Sequence, residues 1–227
     1  MVDHILDRPI WSALTTVHAG LARGTERAKR FAEDISPLAS TPDDTVSSLA
    51  ELANLIPAGD RIVMAQADPI PPLPGMHPIL TAVAVQMLFD GPSPAAEGRH
   101  FVERLTAADG PEMFALATLT KPGPYAARAF LLGEYWGVKR DGKLIAMAGE
   151  RLKQPGFTKV SGVCTHPDHQ GQGLARELCL TLLPRIVGRG EQPYLHVFAT
   201  NAMAINLYEK LGFHIRMTMN VAQLEKL

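Results

Sequence analysis

Residues 165–177 read "THPDHQGQGLARE": two histidines and an aspartate, then two glycines separated by one glutamine, directly before a run with helical character. The stretch leading into it, "TKVSGVCT" (158–165), is rich in β-branched residues and predicts a strand. Strand, two-glycine turn and helix in that order admit three readings: a metal site on His166, Asp168 and His169, an anion cradle on the glycines, or an ordinary tight turn. The metal reading loses, because the spacing suits neither HExxH on a helix nor paired CxxC, and Pro167 stiffens the segment. The junction does aim several unpaired backbone N–H groups, and the positive end of the helix dipole, at a single spot. Gly171 and Gly173 have no Cβ, so an anion can approach the backbone closely. Yet no GxxxxGK[ST] exists, and residues 171–176, "GQGLAR", do not meet GxGxxG. From these residues alone the anion cradle and the plain turn both stand.

Working outward, the second half of the chain alternates helix and strand. "TAADGPEMFALATL" (106–119) predicts a helix with Thr106 as N-cap. "EYWGVKRDGKLIAMAGERL" (134–152) predicts a hairpin turning at Asp141-Gly142, a pair that tolerates positive φ. The helix expected from Gly171 carries Leu174, Leu178, Leu182 and Ile186 on one stripe, and Pro184 should kink or end it. "YLHVFA" (194–199) predicts a strand, "NAMAINLYEKLGF" (201–213) a helix stopped by Gly212, and 214–224 a last strand. This order implies an α/β fold around a mixed sheet.

The first half is less regular. Helices are expected at 10–21 and 44–56, and strands at 61–67 and 79–89. "ADPIPPLPGMHP" (67–78) holds five prolines, and "DGPSPAAEG" (90–98) follows after one apolar run. Neither stretch is compatible with a helix or a central strand, and a boundary is expected near residue 98.

Composition sets the outer limits. Of the 227 residues, 46% are hydrophobic and 20% charged, with net charge −1, as in a folded globular protein. Without a long basic run, nothing points to nucleic acid or an anionic membrane surface, and "ARGTERAKR" (22–30) reads as a solvated face. The longest nearly apolar run, 79–89, is too short to span a bilayer. The opening "MVDHILDRPIW" lacks the apolar core of a secretory signal, and Cys164 and Cys179 form no CxxC pair. A cytoplasmic location with buried free thiols is expected.

"VCTHPDHQGQGLARELC" (163–179) resembles motif A of the GNAT superfamily of N-acetyltransferases, a strand, a [QR]-x-x-G-x-[GA] turn and a helix, met here by Gln170, Gly173 and Ala175. "NAMAINLYEKLGF" resembles the family's motif B, at the family's separation. The resemblance covers about residues 99–227. It implies a GNAT domain there, following an N-terminal α/β portion over 1–98 for which a degenerate GNAT-like half is one form. It also implies a mixed sheet whose strands 158–165 and 194–199 splay apart, with acetyl-CoA (or another acyl-CoA) as co-substrate and no metal.

The resemblance further implies roles. Val163, Cys164 and Thr165 would run beside the pantetheine, Val163 and Thr165 through their backbone. Gln170, Gly171, Gln172, Gly173, Leu174 and Ala175 would hold the diphosphate through backbone N–H groups, which explains why no lysine is required. Tyr208 is the expected general acid toward the departing thiolate. Asn201 is either the N-cap of its helix or a further CoA contact. Many relatives carry a glutamate early in the fourth strand, where this chain has Lys159 and no acid; Glu150, on the preceding strand, is the nearest candidate base, with an ion pair to Arg151 or another cation as the alternative. The function implied is transfer of an acetyl group to a primary amine of a small molecule, amino acid or peptide, the alternative being a non-catalytic acyl-CoA sensor. The loop 120–130, with Tyr125 and Arg128, is expected on the acceptor side, and the chain as a monomer or homodimer.

Overall fold

The computed structural model describes residues 4–92 and 98–227. In chain order the elements are α1 (Pro9–Thr15), β1 (Ala22–Gly24), β2 (Lys29–Phe31), β3 (Ala39–Ser40), α2 (Val46–Asn54), β4 (Arg61–Gln66), β5 (Met76–Phe89) and β6 (Glu103–Leu105). These are followed by α3 (Gly110–Thr120), β7 (Tyr135–Arg140), β8 (Lys143–Gln154), β9 (Phe157–Thr165), α4 (Leu174–Gly188), β10 (Gln192–Phe198), α5 (Ala202–Lys210) and β11 (Phe213–Lys226). The large sheet has the order β4-β11-β5-β10-β9-β8-β7-β6, and β1-β2-β3 form a small separate sheet. β9 and β10 run parallel; the other neighbours in the large sheet are antiparallel. β4 and β5 thus place residues from before position 98 in the same sheet as the strands that follow it.

Helices cover both faces. On one, Leu174, Leu178, Leu182 and Ile186 of α4 pack with Val160, Ala146 and Leu195. On the other, Ile10 and Leu14 of α1 pack with Leu152 and Tyr194, while Met113, Leu116 and Ala117 of α3 pack on Tyr135, Met147 and Cys164. β4 shows the period-2 logic of a strand buried on both sides: Val63 and Ala65 face α1, and Ile62 and Met64 face α2.

Several expectations hold in detail. Asp141 (φ 51°) and Gly142 (φ 74°) both lie in the left-handed region that a two-residue hairpin turn requires. Thr106 and Asp109 form a reciprocal capping box before α3. Others are corrected. α4 begins at Leu174 rather than Gly171, because the positive φ of both glycines excludes them from a helix. It continues through Pro184 to Gly188, held by burial of Leu182, Leu183 and Ile186 around the proline. The helix expected over 10–21 ends at Thr15, and a 3-10 turn follows.

The proline-rich stretch gives up its last three residues to β5: Met76, His77 and Pro78 pair with β11. β10 reaches only to Ala84, so this end of β5 is an edge on that side, and Pro78 borders a bulge in β5, where Ile79 is skipped between Leu80↔Gln223 and Pro78↔Leu224. Within 22–30, Arg30 is buried and its guanidinium lies 3.4 Å from Asp60, so that segment is not wholly a solvated face. Of the loop expected at 90–98, residues 93–97 fall outside the described residues. No described helix is long and apolar enough to cross a membrane.

Candidate active site

The cleft starts where two strands part. β9 and β10 pair only at Phe157↔Gln192, Thr158↔Pro193 and Lys159↔Tyr194. Beyond that point β9 follows β8, through Cys164↔Met147 and Thr165↔Ala146, whereas β10 follows β5, through Val197↔Val85 and Phe198↔Ala84. A break in register between Met147 and Gly149 bends β9 here, with Gly162 at φ +64°. The facing edges of 160–165 and 195–198 are therefore left without a strand between them, and Val163 and Thr165 are half-buried along one of them.

At the wide end lies the N-terminus of α4. Gly171 and Gly173 have φ of 74° and 79°, and a Cβ at either would meet nothing within 4 Å. The glycines are thus required by backbone conformation, and the space above them is open. Gly173 caps α4, whose macrodipole is positive at this end. Arg140 adds positive charge beside the turn, its guanidinium reaching His169 Nδ1 at 3.2 Å and Gln172 Oε1 at 3.1 Å. His100 Nε2 lies 3.0 Å from Gln172 O. His166 caps a 3-10 turn over Pro167–His169, its Nδ1 accepting the Asp168 N–H.

These elements coincide with what known proteins share. The family model FR47-like protein matches residues 135–221, from β7 into β11. A solved structure assigned to the GNAT family of acetyltransferases, from Novosphingobium aromaticivorans DSM 12444, is 39% identical, covers 99% of this chain and 100% of its own, and has a TM-score of 0.92. The chain belongs to the GNAT family. The ribosomal protein bS18-alanine N-acetyltransferase of Escherichia coli K12 is 29% identical over 119 residues, 50% of this chain and 80% of that enzyme. A GCN5-related N-acetyltransferase from Kribbella flavida has the same fold, with a TM-score of 0.67 at 16% identity over 99% of this chain and 96% of its own.

In GNAT terms, the expected site residues fall into separate places. Tyr208 is buried between α5 and the sheet, its ring edge-on to Phe213 with centroids 5.7 Å apart. Burial, with Cys179 and Cys164 nearby, raises its phenol pKa, so the hydroxyl keeps its proton. Asn201 Oδ1 accepts the Ala204 N–H at 3.1 Å and so caps α5. Cys164 is buried, and burial pushes its thiol up to about 11, away from nucleophile chemistry. Glu150 is fully buried and ion-paired: Arg189 Nη2 lies 2.7 Å from Oε1 and Lys153 Nζ 2.6 Å from Oε2, the latter off the angle of a hydrogen bond. Its neighbour Arg151 is not a partner. Arg128 is held by Asp34 at 2.9 Å.

The sequence did not single out the polar cluster at the narrow end of the cleft. Arg151, Lys159 and Gln86 are buried there together, and Lys159 Nζ lies 3.0 Å from His196 Nδ1. Arg151 donates to Pro124 O of the 120–130 loop, and its Nε has no hydrogen-bond partner. The hydroxyls of Tyr125 and Tyr135 are likewise buried and unpartnered, with the rings 5.8 Å apart and edge-on. No carboxylate among the described residues pairs with Arg151 or Lys159. Burial first, then the Arg151 charge, pulls the Lys159 pKa well below that of an ordinary lysine; burial, then Lys159 and Arg151, does the same to His196. The one signal available in the sequence was Lys159 itself, a cation inside a strand of otherwise apolar and small residues.

Proposed function

We propose that the chain transfers an acetyl group from acetyl-CoA to a primary amine. The observation that carries this reading is the parting of β9 and β10 after Lys159↔Tyr194, open toward the two-glycine N-terminus of α4. The unpaired edge at Val163, Cys164 and Thr165 suits the pantetheine amides, as an added strand would. The backbone from Gln170 through Gly171, Gln172, Gly173, Leu174 and Ala175 suits the diphosphate, with Arg140 beside it. Asn201, already spent on capping α5, serves CoA only by positioning that helix.

Transfer requires a neutral amine to attack the thioester carbon, an oxyanion to form and collapse, and the sulfur to leave as a thiol. Tyr208 is assigned as the acid, because it is a protonated phenol whose helix directly follows β10. Glu150 is assigned as a structural ion pair, because both its oxygens face cations. The bS18-alanine relative supports an α-amine as one class of acceptor, so peptides beginning with alanine belong in the test beside amino acids and small amines.

Calorimetric titration with acetyl-CoA, followed by thiol release over that amine panel, tests the reading. Gly173→Glu is expected to weaken acetyl-CoA binding at least 100-fold, and further than Gly173→Ala, which carries the same positive-φ strain without a carboxylate to repel the diphosphate. Unchanged affinity in the folded variant removes the cofactor assignment.

A further inference from the structure

The narrow end of the cleft contains a hydrogen-bond chain whose direction is set from outside. Gln86 Oε1 accepts from Arg216 Nη1 at 2.8 Å, and Gln86 Nε2 donates to Leu6 O at 2.9 Å. This pair of contacts orients the amide, because a flip would set oxygen against oxygen and N–H against N–H. Arg216 is anchored in turn by Asp7 at 2.6 Å. The same Gln86 Nε2 lies 3.0 Å from His196 Nε2, so that ring nitrogen accepts. An imidazole whose Nε2 accepts carries its proton on Nδ1, and Nδ1 faces Lys159 Nζ at 3.0 Å. An ammonium has no lone pair with which to accept that proton. Only a neutral amine fits.

We propose that Lys159, held as a free amine by the relay from Gln86 through His196, is the catalytic base that takes the proton from the acceptor ammonium. Its position supports the role. Lys159 forms the last β9–β10 pair, at the point from which the cleft opens. It is buried, and the groups facing it are Arg151 from β8, Tyr194 and His196 from β10, and Gln86 behind His196 on β5. Those neighbours include no carboxylate, so nothing stabilises an ammonium there, and Arg151 opposes one. Protonating Lys159 would also turn its N–H toward the His196 Nδ1–H, so the relay itself disfavours the charged form.

The step balances as a proton transfer. The acceptor R–NH3+ gives one proton to the Lys159 lone pair, and the free amine attacks the thioester carbon. C–N bond formation gives the oxyanion, whose collapse breaks the C–S bond as Tyr208 protonates the departing sulfur, and the second amine proton passes through solvent to the Tyr208 phenolate and restores it. Lys159 then returns its proton to solvent and is ready for the next turnover.

The proposal rests on the acetyl-transfer reading, and the experiment separates the two. Lys159→Met keeps the volume and removes the lone pair. With acetyl-CoA and whichever panel amine the wild-type chain acetylates fastest, its kcat/KM is expected to fall ~10²–10⁴-fold at pH 7, with unchanged acetyl-CoA affinity. That loss should shrink as pH approaches the pKa of the acceptor amine, where free amine no longer needs a base. In ¹⁵N-lysine spectra, the signal missing from Lys159→Met should have the shift of a neutral amine at pH 7. An ammonium shift for that signal overturns the relay. A variant that matches wild type, or loses the same factor at every pH, overturns the base role while acetyl transfer stands. A wild-type chain that binds acetyl-CoA but releases no CoA with any amine overturns the reading and the base together.

Discussion

Glu150 and Lys159 are near neighbours across β8 and β9, where Glu150 pairs in register with Val160, yet their surroundings are opposite. Glu150 has two cations, Arg189 and Lys153, within 2.7 Å and 2.6 Å. Lys159 has a histidine, an arginine and no carboxylate. A buried charge whose partners neutralise it is bound into the fold and costs stability if it changes. A buried basic group without a counter-charge gives up its proton instead, which leaves a lone pair available for chemistry. The contrast sorts two candidate bases that adjacent strands present side by side.

Three variants sharpen or break that contrast. The largest effect is expected from Tyr208→Phe, which removes the proposed proton donor and keeps the ring on Phe213. Its kcat should drop ~10²–10⁴-fold, with acetyl-CoA Kd nearly unchanged. A wild-type kcat would reduce Tyr208 to packing.

His18 gives the next largest effect, as a second uncompensated base on the Lys159 side of the sheet. It is buried, its Nε2 lies 2.9 Å from Arg151 O and 3.1 Å from Lys153 N, and burial pulls its pKa from 6.5 to about 4. The unfolded chain therefore binds a proton that the folded chain refuses between those values. Stability is intact above pH 6.5, declines as pH falls toward 4, and levels off below it. At 1.36 kcal/mol per pKa unit the loss is about 3 kcal/mol. Denaturant midpoints recorded across this window should fall for the wild type and fall less for His18→Gln; parallel curves contradict the assignment.

Glu150→Gln should give the smallest of the three effects and the most direct test of the comparison. Stability should drop by about 2 kcal/mol, less than for a fully buried pair because the Arg189 side chain is 35% exposed and can turn to solvent or Glu191. The pH profile of kcat/KM should keep its shape. A loss confined to neutral pH, with an unchanged melting temperature, would return the base to Glu150.

Much of the molecule was legible in its residues because the signals were local. Asp141-Gly142 announced a hairpin, Thr106 and Asn201 announced caps, and the two glycines announced a turn between β9 and α4. Motif A could be read because it is contiguous and made of backbone, which depends on nearby φ and ψ more than on distant partners. Pro184 misled for a complementary reason: its intrinsic cost to a helix was outweighed by the burial of the side chains around it.

The narrow end of the cleft belongs to the other category. Gln86, Arg151, Lys159, His196 and Arg216 lie on five different strands, and nothing in their spacing along the chain brings them together. The sequence alone determined that this chain has a strand–glycine–helix junction, since that pattern is written within a dozen consecutive residues. Only the tertiary structure decided which buried group lacks a counter-charge. Protonation depends on burial and on every charge within a few ångströms, and those are set by how the strands pair and not by which residues follow one another.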